Sequence, residues 1–173
     1  MLDKKRIQEA QANVKTYLDE GLLKRTITNQ NVRDILIRNS EESISVAKLL
    51  FDENLSPLWT MVCSYYSMYY IANAVLCSMG YKVGDRISHK ITADALITYV
   101  KGELEESLVE EYEQAQQQAL AIIKSDDIIE SFDRERIKRG RLQYSTSEQV
   151  KHSKAETSLE RARQFMHEMQ KLL

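Results

Sequence analysis

Residues 55–81 read LSPLWTMVCSYYSMYYIANAVLCSMGY and carry no charged side chain, in a chain where 29% of residues are charged. Ser56 ahead of Pro57 offers an N-cap hydroxyl and a first-turn residue with a helical φ, and Gly80 offers the left-handed position that closes a helix. The spacing predicts one helix over residues 57–79. A helix without a solvated face must be enclosed. At about 1.5 Å per residue it is long enough to cross a bilayer. Ser64, Ser67, Asn73, Ser78 and four tyrosines are too polar for a lone helix in lipid, however, and no second hydrophobic segment exists to pair with it. Its expected place is the centre of a helical bundle, with no membrane contact.

Outward from this helix, 173 residues with 43% apolar content suffice for one core. A formal charge of −2 and a pI near 6.0 exclude a global basic field that would collect nucleic acid, so such a contact would need a local patch. Cys63 and Cys77 lie about four turns apart on the same helix, too far for a mutual disulfide, and read as small hydrophobes in a reducing compartment. The start MLDKKRIQEAQ has charge but no apolar run of a secretion signal. The expected location is the cytoplasm. No stretch alternates apolar and polar residues long enough to suggest a strand.

Ile7, Ala10, Val14, Tyr17 and Leu18 form the stripe of a first helix that Gly21 closes. Val32, Ile35, Leu36, Ile44, Ala47, Leu50 and Phe51 continue at helical spacing to Asn54, as one helix or as two with a break near Asn39 and Ser40. Residues 81–87 read as a loop, and Ser88 as the cap of a short helix bearing Ile91, Ala95, Leu96 and Val100, ended by Gly102. Ser107 with Glu110 and Ser145 with Glu148 read as capping boxes. The first opens a helix through Leu108, Tyr112, Ala115, Ala119, Ile122 and Ile123, with a bend around residues 125–127. The second opens a last helix with a seam of Leu159, Ala162, Met166, Met169 and Leu173. The expected fold is an all-α, antiparallel up-and-down bundle over residues 40–173, with an N-terminal helical extension over residues 1–39 packed on it.

Three features in order carry a resemblance. The segment SEESISVAKLLFDENL precedes a helix with the YYxMxY pattern Ser64-Tyr65-Tyr66-Ser67-Met68-Tyr69-Tyr70. A loop ends in Ser88-His89-Lys90. Arg139 stands five positions before Tyr144 near the start of the last helix. Over roughly residues 40–170 this order resembles the small archaeal and bacterial HEPN domains, a branch associated with toxin–antitoxin and defence systems. The resemblance implies a homodimeric bundle through the tyrosine-bearing helix and its neighbours. In the ribonuclease branch an arginine is followed by a histidine that handles the 2′-hydroxyl or leaving-group proton while the guanidinium neutralises phosphate charge. Tyr144 stands where that histidine would, and a phenol with a pKa near 10 is a poor base at pH 7. The resemblance therefore points first to a helical partner of another protein, such as a minimal nucleotidyltransferase. The second reading is a metal-independent endoribonuclease with Arg139 and Tyr144 at a dimer cleft.

Arg134, Arg136, Lys138 and Arg141 complete the most basic window and are candidate RNA or phosphate contacts, against the plainer account of a solvated helix end. Tyr66 and Tyr70 share a stripe with Asn73 and Cys77, and Tyr65 and Tyr69 share the adjacent one with Ala72. One stripe is expected in the core and the other at a dimer face or cleft. His89 reads as a first-turn structural residue. His89, His152 and His167 have no ligand spacing, so neither a metal site nor a cofactor is expected.

Overall fold

A computed structural model describes residues 3–124 and 146–173. Among these residues the elements in order are α1 (Lys4–Asp19), β1 (Leu23–Arg25), α2 (Gln30–Asp52), α3 (Pro57–Ser78), β2 (Tyr81–Val83), α4 (Ser88–Ala95), α5 (Glu106–Lys124) and α6 (Thr146–Gln170). A π-helical turn, Leu96–Val100, continues α4. The fold is an all-α bundle with one very small sheet.

The uncharged helix has its expected ends and its expected place. Ser56 Oγ accepts from Trp59 N at 3.3 Å, Pro57 occupies the first turn, and Gly80 closes the helix at φ +82°. Fourteen of the 22 residues of α3 are buried, enclosed by α2, α4, α5 and α6. Its buried polar groups are mostly turned onto the backbone: Ser67 Oγ donates to Ser64 O at 2.7 Å and Asn73 Nδ2 to Tyr69 O at 2.8 Å. No helix among the described residues is long and apolar enough to cross a membrane.

α2 is one unbroken helix through Asn39 and Ser40. Ser40 is buried, and its hydroxyl donates to Ser67 O at 2.7 Å, so the small polar pair marks a close approach to α3 rather than a break. The apolar stripe expected on α2 divides, however. Ala47 enters the core and Ile44, Leu36 and Phe51 are partly covered, whereas Val32 and Ile35 stay open to solvent. Val32 lies about 60–80° and Ile35 about 120–140° around the helix from Ser40 and Ala47, because each residue advances about 100°.

Three other expectations are corrected. Residues 81–83 are not loop but β2, antiparallel to β1 in the register Leu23↔Val83, Lys24↔Lys82, Arg25↔Tyr81. Three-residue strands are too short to show alternation, and their partners are distant in the chain. Ser88 is not a cap: Ile87 holds that position in the left-handed region at φ 47° without a side-chain cap, and Ser88 is already helical. Ser107 likewise lies inside α5, which opens at Glu106, whose carboxylate pairs with Lys101 Nζ at 2.9 Å. An acidic side chain suits the positive pole of a helix.

The expected division at residue 39 falls inside α2. Ala10, Val14 and Tyr17 of α1 belong to the same buried cluster as Tyr65, Met68, Leu96 and Phe165. The expected seam of the last helix holds at Leu159, Ala162, Met166 and Met169, all buried, while Leu173 is exposed. The expected bend around residues 125–127 and the capping box at Ser145 and Glu148 lie outside the described residues.

Candidate functional site

α3 runs past the first turn of α4, and the crossing collects four aromatic rings. His89 Nδ1 lies 2.7 Å from Tyr65 Oη, and its ring centroid lies 4.6 Å from Tyr69, 5.6 Å from Tyr65 and 5.7 Å from Tyr66. Tyr70 extends the rim, 5.6 Å from Tyr69 and 6.0 Å from Tyr66. Tyr65 is fully enclosed and continues inward to Tyr112 at 5.8 Å, which stacks on Phe165 of α6 at 5.4 Å. Helical spacing groups the tyrosines, and the crossing of α3 with α4 brings His89 to them. Residues 65 and 69 are one turn apart on the α4 side, and residues 66 and 70 border them.

The two expected tyrosine stripes are not cleanly inside and outside. Tyr65 and Ala72 of one stripe are buried, but so are Asn73 and Cys77 of the other. Position along α3 matters more than the stripe: only Tyr66, Tyr69 and Tyr70 are half-buried, forming an aromatic rim beside half-buried His89. Burial lowers the pKa of His89, which keeps the ring neutral at pH 7, and burial raises those of Tyr65 and Tyr66. The rim is therefore uncharged. Nε2 of His89 has no hydrogen-bond partner among the described residues, so the ring can donate or accept one more bond.

A second polar cluster has no counterpart in the sequence reading. Asp94 is fully buried on α4 and accepts from Tyr17 Oη at 2.9 Å and Asn13 Nδ2 at 3.1 Å. Arg6 Nη2 lies 2.7 Å from Asp94 Oδ1 and 2.6 Å from Glu113 Oε1. Three helices are thus tied by one guanidinium. The available signal was a single carboxylate among Ile91, Ala93, Ala95 and Leu96, at a position whose neighbours all point inward. A buried charge demands a partner, and here it comes from Arg6 of α1, far away in sequence.

Arg134, Arg136, Lys138, Arg139, Arg141 and Tyr144 lie outside the described residues. His152, close to the start of α6, packs on Phe51 of α2 with ring centroids 4.7 Å apart. Both cysteines are free, Cys77 buried and Cys63 half-buried. Among the described residues no group of three or more His, Cys, Asp or Glu is placed to hold a metal ion. No family model matches the chain, and no curated protein or solved structure matches it either.

Proposed function

We propose that this chain is a HEPN-type helical module of the cytoplasm that works as a homodimer with a protein partner, such as a minimal nucleotidyltransferase, in a two-component toxin–antitoxin or defence system. The observation that carries this reading is the aromatic rim. Tyr66, Tyr69, Tyr70 and His89 offer apolar bodies with polar tips and no net charge, the chemistry of a recognition surface. His89 is held by a phenol at Nδ1 and packed among rings, not oriented by a carboxylate as a general base commonly is.

A second reading, a metal-independent endoribonuclease using Arg139 and Tyr144, draws support from the neutral imidazole with an unpartnered Nε2 on the same rim. The two separate in one experiment. Purified protein and its Arg139→Ala variant are incubated with labelled RNA in EDTA, and the chain is co-expressed with any nucleotidyltransferase encoded beside it. Co-purification with intact RNA is the expected result. Cleavage that survives chelation and disappears in Arg139→Ala overturns the partner-module reading in favour of the nuclease.

A further inference from the structure

α2 presents two apolar faces, and among the described residues only one of them is covered. Ser40 and Ala47 are buried against the bundle. About a third of a turn away, Val32, Ile35, Val46 and Leu49 are 42%, 46%, 45% and 57% exposed. With Asn39 and Glu42 between them they stand at positions 32, 35, 39, 42, 46 and 49, alternating steps of three and four. That spacing is the seam of a coiled coil, not of a helix lying on a broad sheet or bundle. Ile27 just ahead of α2 and Leu55 just beyond it, 91% and 56% exposed, lengthen the apolar run at either end.

We infer that this face of α2 binds the same face of a second copy of the chain, the two helices running antiparallel about a two-fold axis between residues 40 and 41. Two properties of the seam select this occupant. First, it reads the same from either end. Antiparallel pairing places Val32 opposite Leu49, Ile35 opposite Val46 and Asn39 opposite Glu42, so every apolar residue meets an apolar residue and each of the two central layers pairs an amide with a carboxylate. An isologous interface requires such self-complementarity, whereas a seam shaped for another protein does not. Polar layers confined to the centre also fix register. Second, charge divides along the helix. Arg33 and Arg38 against Asp34 make the N-terminal half positive, and Glu41, Glu42, Asp52 and Glu53 against Lys48 make the C-terminal half negative. Lys48 pairs with Asp52 and Arg33 with Asp34 within the chain, while Arg38, Glu41 and Glu42 have no ion pair among the described residues. The antiparallel copy sets Arg38 beside Glu41 and Glu42 of the second copy, twice per dimer. Parallel pairing would oppose like with like.

The inference deepens the homodimer in the proposed function and moves it from the tyrosine rim, which is left free for a partner, to α2. Its test is oligomeric state, read by sedimentation across concentration and separately from RNA cleavage or partner capture, so that its failure is distinct from theirs. The wild-type chain should be a dimer. Val46→Glu should raise the dimer dissociation constant roughly a hundredfold while helix content by circular dichroism stays unchanged. Arg38→Glu should weaken the dimer, and adding Glu42→Arg to it should restore the dimer, because the pair is exchanged across the axis. A chain that stays monomeric at about 100 μM, well above the dissociation constants of most specific dimers, would assign the seam to a different protein and overturn the inference. A dimer indifferent to Val46→Glu, or a double variant no tighter than Arg38→Glu alone, would overturn it as well.

Discussion

Burial decides the charge on His89, and the same burial makes the protein's stability depend on pH. In the unfolded chain the imidazole titrates near 6.5, and in the folded chain its pKa is lower because the charged ring would be desolvated. Between the two values the unfolded state binds more protons than the folded state, so stability rises with pH there. His89 therefore contributes stability that is fully present above about pH 6.5 and is lost as pH falls through the folded value. Urea unfolding should give a lower free energy at pH 5.5 than at pH 7.5, and His89→Asn should flatten that difference. An identical slope in the variant would mean that other groups cause it. The sequence located His89 at the start of a helix and made it structural, and its place among the rings fits that. The specific bond to Tyr65 was not legible, since it joins residues 24 apart on helices whose crossing only tertiary packing sets.

At the scale of elements, legibility followed the strength of local signals. α3 was readable to within a residue because a serine, a proline and a glycine mark its ends and no charge interrupts it. β1 and β2 were not, because a three-residue strand has no period of its own and is made by its partner. What secures them is visible at two glycines. Thr26 N donates to Gly80 O at 2.9 Å and Gly84 N to Leu22 O at 2.8 Å, closing the ladder at both ends. A Cβ on Gly84 would stand 2.9 Å from Leu22 O, and one on Gly80 would stand 3.1 Å from Thr26 O at a φ of +82°. Backbone on both sides leaves no flexible atom to yield. Gly84→Ala should thus cost about 1–3 kcal/mol, in the range of substitutions that force a backbone shift. Gly102→Ala is the matched control, because nothing lies within 4 Å of its Cβ position and its φ is outside the left-handed region. It should be neutral or slightly stabilising through the unfolded chain. Equal losses in the two variants, measured by thermal unfolding, would show that the Leu22 contact is not the cause.

For the whole molecule the deciding question is whether α1 is an appendage or part of the core. The sequence set residues 1–39 apart as an extension, and the resemblance covers only roughly residues 40–170. A resemblance that stops short of a helix says nothing of where that helix packs. α1 puts Ala10, Val14 and Tyr17 into the common cluster, and it sends Arg6, Asn13 and Tyr17 to Asp94. Asp94 is fully buried, and without it Arg6 keeps only Glu113, Tyr17 and Asn13 lose an acceptor, and α1 loses its polar tie to α4. Removing one member of a buried pair is costly because the remaining groups stay desolvated, so Asp94→Ala should lower the unfolding free energy by about 3 kcal/mol. The form of the loss distinguishes the two views of α1. With a shared core, helix content by far-ultraviolet circular dichroism and the fluorescence of Trp59 on α3 should shift together to lower urea, in one transition. With α1 as an appendage, helix content would fall first by roughly the share of one helix while Trp59 kept its native signal. The shared cluster predicts the first outcome, because α1 packs on α4 and on the π-turn Leu96–Val100, whose buried residues belong to the same core as those of α3.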